Sequence, residues 1–323
     1  MASSGTPISG MRVHPSRSEI DVIAMTRTYV RGVTVMIDTV ICFNRAMARR
    51  KVLTVASVNV NGIRAAKRNG IERWIGDRRA DVVTLQEVRA SDDIFVDHVD
   101  SLWGSAWARV HGKSEAKGRA GVAIVTKHGI SEQRVDIGGS ASRFDNAGRW
   151  VEATIDIDGL DAPLTVVSVY VHTGDADSPE RMEEKLGFMS AMTDRMETLR
   201  SDGRHVLVTG DLNVGHTELD IKNWKGNRNK AGFLEVERAW FDRWFSELGW
   251  VDVARTLAGE VEGPYTWWSN RGQAFDNNVG WRIDYQIASP GLAERALAST
   301  VDRAPSYAER WSDHAPLIAE FKV

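Results

Sequence analysis

Arg204-His-Val-Leu-Val-Thr-Gly-Asp-Leu-Asn213 has the pattern of a short buried strand that ends in polar residues. Its apolar run over 206–208 is typical of a strand that is covered on both faces. Gly210 frees the backbone just before Asp211, and polar residues at such a strand end project into the crevice where α/β folds bind ligands. Asp211 and Asn213 are therefore candidate site residues. The alternative is an Asx-type turn that only closes the strand.

Similar segments recur along the chain. Further strands are predicted over 51–62, 81–87, 120–126, 150–156, 164–170, 280–287 and 312–321. Polar residues stand at strand ends or, for Asp284, inside the strand; the full set is Asn59, Asn61, Glu87, Tyr170, Asp211, Asn213, Asp284, Asp313 and His314. Each residue alone is more often structural than catalytic, but their joint placement predicts one shared site.

Three helices are predicted between these strands. The first covers 70–79, and the second begins after an N-cap at Ser178 and runs to about Leu199. The third is amphipathic, because Val236, Trp240, Trp244 and Leu248 recur at helical spacing before Gly249. We expect the two tryptophans of this helix to be packing residues.

The length of 323 residues fits one large domain with an extension, since single sandwich domains reach about 250 residues. We expect residues 47–323 to form the domain. Residues 1–46 differ in composition, and we expect a disordered extension or a start codon placed too early, with Met47 as the true start. Their apolar run over 33–43 is too short for a membrane span, which needs about 20 residues.

The charge and cysteine content limit the class of protein. A net charge of −3 argues against a uniformly basic nucleic-acid binder, so any such contact must use a local basic surface. A single cysteine excludes an internal disulfide and favours the cytoplasm. We find no P-loop, no Gly-x-Gly-x-x-Gly and no zinc-spaced Cys/His set, which removes most nucleotide-binding interpretations.

The polar set suits a hard divalent cation. Mg²⁺ and Mn²⁺ prefer oxygen ligands and need only one or two carboxylates beside a substrate phosphate. An aspartate or histidine in the same set would activate or orient a water, which predicts metal-assisted phosphoester hydrolysis.

A second polar feature is the segment 220–232, the cation loop, which has four cations between 222 and 230 and no acid among them. Taken alone, such a run is most often solvated surface.

In their order, several motifs resemble those of exonuclease III and the related apurinic/apyrimidinic endonucleases, within the endonuclease/exonuclease/phosphatase superfamily. The resemblance covers 51–323. It rests on Ser57–Ala65, Leu85–Val88, Gly121–Val122, Val169–Val171, Gly210–Asn213, Lys225–Asn227, Ala231–Phe233, Tyr265–Thr266, Asn278–Tyr285 and Ser312–His314. It implies an α/β fold: a four-layer sandwich of two mainly antiparallel sheets flanked by helices, of the DNase I type.

The resemblance also implies roles for the residues. Glu87 would be the principal metal ligand, Asp211 would activate the water, and His314, oriented by Asp284, would bind the scissile phosphate. Tyr170 would contact that phosphate from another side, although either Tyr170 or Asp211 fits the proton transfer. The remaining metal ligands would be Asn59, Asn61, Asp211, Asn213, Asp313 and His314, and Asn213 would also hold Asp211. The DNA-binding residues would be Arg64, Arg119, Lys225, Asn227, Lys230, Trp267, Asn278 and Trp281. Of these, Trp267, Asn278 and Trp281 would surround the pocket for the abasic sugar.

The implied activity is Mg²⁺-dependent hydrolysis of phosphodiesters 5′ to abasic sites in duplex DNA, with Mn²⁺ as an alternative metal. The enzyme would also have 3′-to-5′ exonuclease and 3′-end trimming activities. The implied partner is double-stranded DNA with abasic or blocked 3′ ends. We expect no association with a membrane, and we expect a monomer in the cytoplasm.

Two positions depart from the family pattern. Thr173 stands where relatives often carry an amide, which affects a phosphate contact, and Arg119 stands where many carry an aromatic residue, which changes a DNA backbone contact.

The sequence leaves two alternative functions. A phosphatase of the same superfamily that acts on phosphoinositides or other phosphoesters would need a lipid or inositol-phosphate recognition segment in place of the Gly280–Tyr285 motif, and none is evident. A catalytically dead DNA-binding relative would be expected to lack Glu87, Asp211 or His314, and all are present.

Overall fold

The computed structural model describes residues 51–77 and 80–323. The predicted extension over 1–46, residues 47–50 and the last two residues of the predicted helix 70–79 lie outside the described part of the chain. Within the described ranges, no helix is both long and apolar enough to span a membrane.

The described residues form twelve strands and eight α-helices, besides three short 3₁₀ helices and one π-helical turn. The strands are β1 Val52–Asn59, β2 Val82–Gln86, β3 Ala108–Gly112, β4 Val122–Thr126, β5 Ile130–Val135, β6 Trp150–Ile155, β7 Leu164–Tyr170, β8 His205–Asp211, β9 Val251–Asp252, β10 Asp284–Ala288, β11 Ala296–Val301 and β12 Leu317–Lys322. The helices are α1 Ile63–Arg68, α2 Ile71–Asp77, α3 Asp92–Leu102, α4 Pro179–Ser201, α5 Trp224–Asn227, α6 Glu235–Asp242, α7 Val253–Ala258 and α8 Pro290–Ala293.

The strands form two six-stranded sheets, in the orders β11-β12-β1-β2-β4-β3 and β5-β6-β7-β8-β10-β9. One parallel pair lies inside each sheet, β1 with β2 and β7 with β8, and the other pairs are antiparallel. The predicted hairpin is confirmed, since β6 and β7 pair antiparallel. The prediction of mainly antiparallel sheets is likewise confirmed.

The core is layered. Apolar residues of both sheets, such as Val55 and Leu207, pack together in one cluster between the sheets. A second cluster joins the outer face of the first sheet to helices through residues such as Phe95, and a third joins the outer face of the second sheet to α4 and α6. The order helix, sheet, sheet, helix is the four-layer sandwich that the resemblance implies.

Polar side chains tie the sheets together below the rim where the strands end. The hydroxyls of Thr84 and Thr209 lie 2.7 Å apart, and Gln86 Nε2 donates to Ser168 Oγ at 3.0 Å. All four residues are buried. Because buried polar groups carry a desolvation cost unless they are paired, these contacts favour one relative position of the two sheets.

Two predicted elements need correction. The third helix is α6 followed by a π-helical turn at 243–247, and its buried side chains are Glu237, Phe241 and Trp244. Val236, on the predicted apolar stripe, is 49% exposed, because a charged residue, Glu237, takes the inward position. The predicted strand 280–287 begins only at Asp284, since Trp281 pairs with Trp267 in an isolated bridge instead. The cation loop also contains the short helix α5.

Candidate active site

The predicted polar residues meet at one rim of the sandwich. Asp211 lies between Tyr170 and Asp284 in the second sheet, because β8 pairs with β7 and β10 at these positions. In the first sheet, Asn59 ends β1 and Glu87 directly follows β2. The two sheet edges are joined directly, since Asn59 Nδ2 donates to Asp211 Oδ2 at 2.9 Å.

Glu87, Asp211 and His314 form the group that best fits a cation among the described residues. One ligand atom from each lies within 4.8 Å of the others. Asn59 Nδ2 bridges the two carboxylates, with a second bond of 3.0 Å to Glu87 Oε1. Its Oδ1 accepts from the backbone N–H of Asn61 at 3.0 Å, so Asn59 faces the carboxylates as a hydrogen-bond donor. The ligand role predicted for Asn59 does not match this orientation.

His314 is held by two acids. Its Nδ1 lies 2.8 Å from Asp284 Oδ2, and its Nε2 lies 3.7 Å from Asp211 Oδ2. Burial alone would lower the pKa of His314, but Asp284 and Asp211 outweigh it and raise that pKa to about 10. The ring is therefore an imidazolium at neutral pH. A cationic ring is suited to bind a phosphate oxygen. The metal-ligand role predicted for His314 stays a prediction, since a ring nitrogen lies in the group with Glu87 and Asp211.

Asp211 is surrounded by donors and acids. Asn213 donates to it twice, from its backbone N–H at 2.9 Å and from Nδ2 at 3.1 Å. Burial, with Asp284 and Glu87 adding to it against the opposing charge of His314, raises the pKa of Asp211. A carboxylate with a raised pKa is a better proton acceptor near neutral pH. Asn213, like Asn59, presents its amide nitrogen here, so the predicted holding role matches and the predicted ligand role does not.

Tyr170 keeps its proton. Burial raises the pKa of this phenol, and the nearby charges of Glu87 and Asp211 raise it further. Its ring lies under the guanidinium of Arg149, 5.3 Å from the ring centroid. Between the two proton-transfer candidates, the chemistry of the site therefore favours Asp211 as the acceptor and Tyr170 as a hydrogen-bond donor.

Asp313 organises the other side of the site. Its Oδ1 accepts from Asn61 Nδ2 at 2.8 Å and its Oδ2 accepts from Trp267 Nε1 at 3.1 Å. Burial opposes ionisation, but the charge of His314 and these two donors lower the pKa of Asp313. Asn61 thus also acts as a donor, and both oxygens of Asp313 are used within the protein. A carboxylate oxygen that accepts one hydrogen bond keeps a further lone pair, so the predicted ligand roles of Asp313 and Asn61 stay predictions.

Two cavities open beside the site. The aromatic cavity, of about 340 Å³, includes Trp267, Trp281, Thr173, Asn213 and Gly232 in its lining, together with Glu87, Asp211 and His314. The arginine cavity, of about 610 Å³, includes Arg89, Arg119 and Arg149. Glu87, Arg89 and Tyr170 line both cavities, so the two spaces meet at the metal-site candidate.

The predicted DNA-binding residues occupy different positions. Trp267 and Trp281 line the aromatic cavity, but Asn278 does not, because its Oδ1 accepts from Trp268 Nε1 at 3.1 Å. Arg119 lines the arginine cavity, whereas Arg64 is exposed on α1. Lys225 and Lys230 are exposed on the cation loop; Asn227 donates within it to the carbonyl of Asn223 at 2.9 Å. The loop reaches the aromatic cavity at its end, through Ala231 and Gly232.

Sequence reasoning missed two cations. Arg89 forms an ion pair with Glu87, and Arg149 is packed on Tyr170 in the arginine cavity. Arg89 could have been noticed from its place two residues after Glu87. Arg149 lies on the strand-entry segment before β6 and carried no motif signal.

Thr173, one of the two departures from the family pattern, contacts a residue of the site. Its hydroxyl donates to Asn213 Oδ1 at 3.3 Å. The threonine therefore supports Asn213, which in turn donates to Asp211.

The comparisons with known proteins agree with this geometry. Residues 56–314 match the model of the Endonuclease/Exonuclease/phosphatase family. The chain is 33% identical over 269 residues to an exodeoxyribonuclease of Bacillus subtilis, covering 82% of this chain and 98% of that protein. It is 31% identical over 274 residues to exodeoxyribonuclease III of Haemophilus influenzae, with the same shares covered.

Solved structures agree as well. An AP endonuclease from Archaeoglobus fulgidus superposes with a TM-score of 0.72 at 27% identity, covering 84% of this chain and 100% of that one. A 3′-5′ exonuclease from Neisseria meningitidis gives a TM-score of 0.73 at 28% identity, with the same coverage. The chain therefore belongs to the endonuclease/exonuclease/phosphatase family, and within it to the exonuclease III and apurinic/apyrimidinic endonuclease group, whose members are phosphodiester hydrolases.

Proposed function

We propose that this enzyme is a Mg²⁺-dependent DNA repair nuclease that cuts 5′ to abasic sites in duplex DNA, with 3′-end trimming as a secondary activity. The observation that carries the proposal is the position of the aromatic cavity. Its tryptophan wall adjoins the Glu87, Asp211 and His314 group, so a flipped sugar and the scissile phosphate can be bound side by side.

DNA as the substrate is supported by the charge around the site. Arg89, Arg119 and Arg149 line one side, and the end of the cation loop lines the other through Ala231 and Gly232. Phosphate contacts by arginine and lysine supply most of the sequence-independent affinity for DNA. A related 3′ phosphatase from Neisseria, 27% identical, has been solved with a product DNA hairpin.

The donor set of the site fits a hard cation at Glu87 and Asp211. Both are carboxylates, the ligand type that Mg²⁺ prefers. A bound cation would compete with Arg89 for Glu87, because these two residues are ion-paired here. When bound, the metal would neutralise charge on the phosphate and favour ionisation of a water.

The protein residues then divide the remaining work. Asp211 takes a proton from the attacking water, held in place by Asn59 and Asn213. The His314 imidazolium, fixed by Asp284, stabilises the negative charge that grows on the phosphate oxygens. As water oxygen bonds to phosphorus, the bond from phosphorus to the 3′ oxygen breaks. That oxygen takes up a proton from solvent water to leave a 3′-hydroxyl, and Asp211 returns the proton it accepted to solvent, so that one water is consumed in each turnover.

Selectivity for abasic sites follows from the tryptophan wall of the aromatic cavity, which is formed by Trp267 and Trp281. Trp267 and Trp281 meet edge to face, with ring centroids 6.1 Å apart. An intact nucleotide would lose stacking and pairing worth roughly a few kcal/mol on flipping and would then meet this wall. A sugar without a base avoids both costs.

Trp267→Ala is expected to relax this discrimination more than it slows the abasic reaction. The substitution removes half of the aromatic wall and also the hydrogen bond to Asp313. Trp267→Phe is the control, since it keeps an apolar ring and loses only the hydrogen bond. The measurement is the ratio of kcat/KM for abasic and undamaged duplexes in each variant. An unchanged ratio in Trp267→Ala would rule out the wall as the source of selectivity.

Replacing Lys225 and Lys230 together with alanine is expected to weaken DNA binding about equally for all sequences. The log-log slope of affinity against salt should flatten by about one unit for each phosphate that the double variant no longer neutralises. Lys222→Ala is the matched control, because Lys222 in the same loop is paired with Glu262 at 2.5 Å. Affinities at several salt concentrations give the slope, and an unchanged slope in the double variant would mean that the loop is only solvated surface.

The proposed metal dependence is tested on a defined abasic duplex. The purified protein should lose incision after treatment with a chelator and regain it on addition of Mg²⁺. Incision that persists in the metal-free protein would contradict the proposed dependence. Hydrolysis of inositol phosphates with none of DNA would replace the repair assignment with the phosphatase alternative.

A further inference from the structure

A buried ion pair lies behind the wall of the aromatic cavity. Lys185 on α4 and Glu237 on α6 are both fully buried, and Lys185 Nζ lies 2.5 Å from Glu237 Oε1. Removing two charges from water is costly, and apolar residues of similar volume are often no less stable in such places. Stability alone therefore gives little reason for a charged pair here.

Lys185 uses its ammonium to hold two site loops. Besides Glu237, Nζ donates to the carbonyl of Thr173 at 2.9 Å and to the carbonyl of Asn213 at 3.0 Å. An ammonium group has three donors, and all three are used. Thr173 follows β7 and Asn213 follows β8, so one side chain fixes the segments beyond the two strands that carry Tyr170 and Asp211.

Glu237 holds the end of the cation loop. Its Oε2 accepts from the backbone N–H of Gly232 at 2.8 Å and from that of Leu234 at 2.9 Å. Gly232 is close-packed, because a Cβ there would lie 3.0 Å from the ring of Trp281 and 3.1 Å from the carbonyl oxygen of Asn213. The position of this glycine thus sets how closely the loop approaches the cavity wall.

We infer that Lys185 and Glu237 are positioning residues, which lock Asn213, and through it Asp211, to the end of the cation loop and the Trp281 wall. Neither residue lines the cavities, and each acts only through the backbone that it holds. This inference rests on the proposed function, since it assigns the pair to the same site. Loss of the pair should misplace the water-activating carboxylate without removing any group that touches the DNA.

The test compares Lys185→Met with Arg195→Met. Arg195 lies on the same helix and pairs with Glu152 at 2.6 Å, but it contacts no loop of the site. For each variant, thermal unfolding, kcat and KM on the abasic duplex, and hydrogen exchange of the backbone over 213–234 are measured. Glu237→Gln, which keeps the volume and loses the charge, serves as a second variant if Lys185→Met does not fold.

Lys185→Met is expected to lower kcat by about 10²-fold per folded molecule, the scale of a small misplacement of catalytic groups, with KM within a few-fold of wild type. Exchange should speed up over 213–234 and not across the whole protein. Arg195→Met should change the melting temperature alone. Unchanged kcat per folded molecule, or unchanged exchange over 213–234, would overturn the inference.

The two proposals fail in different ways. Hydrogen exchange needs no substrate. It therefore tests whether Lys185 and Glu237 hold the backbone over 213–234, even if the wild-type protein does not cut abasic DNA. A wild-type protein without that activity would contradict the proposed function. Local exchange unchanged by the substitutions would contradict the role of the ion pair alone.

Discussion

Glu87→Gln is expected to abolish metal-dependent hydrolysis while the protein stays folded. Glutamine keeps the volume and the hydrogen-bonding reach of the side chain, but it removes the charge that a hard cation requires. A loss of about 10³-fold or more in kcat/KM is expected, since a bound metal supplies several kcal/mol of charge stabilisation. The site should also need a higher Mg²⁺ concentration for half-maximal activity.

The control for this substitution is Glu115→Gln, because Glu115 lines the arginine cavity and takes no part in the metal group. Activity is measured over a range of Mg²⁺ concentrations, with circular dichroism to verify the fold. Near-normal turnover of Glu87→Gln at limiting Mg²⁺ would show that the metal assignment is wrong.

Asp211→Asn is expected to lower kcat by about 10² to 10⁴, the usual range for loss of a positioned proton acceptor. The amide keeps the size of the side chain but accepts a proton poorly. Asp211 is fully buried and is surrounded by Asn59, Asn213 and His314. DNA reaches the protein mainly through the cationic surfaces, so its affinity should be retained.

Binding and chemistry are therefore measured separately for Asp211→Asn. The dissociation constant for an abasic duplex is compared with single-turnover rates on the same DNA. A variant that loses affinity in proportion to rate would make Asp211 a structural turn residue, which is the alternative that its Gly-Asp-Leu-Asn sequence allows.

The parts of the site that depend on local sequence pattern could be predicted from the sequence. Strands such as β8 are short apolar runs, and period and composition report burial well. Asp211 and Glu87 were predicted because each follows directly from such a run. The common rim could be inferred, since several strands end alike.

Other parts could not be predicted, because they depend on contacts between distant segments. The bridge from Asn59 to Asp211 joins residues 152 positions apart, and nothing in the local sequence says which end of an amide faces a carboxylate. Both Asn59 and Asn213 face Asp211 with the amide nitrogen, whereas their predicted ligand roles need the amide oxygen. The burial of Glu237 is the second case. A pattern of apolar residues does not predict that a charged side chain faces the core, and the ion pair with Lys185 is seen only in the structure.

We propose that the site selects a sugar without a base. Labelled duplexes that differ only in one abasic analogue test it most directly, with the products separated on a sequencing gel in the presence of Mg²⁺. Incision 5′ to the analogue, leaving a 3′-hydroxyl, should exceed internal incision of the undamaged duplex by orders of magnitude. Equal internal cutting of the two duplexes would contradict the claim.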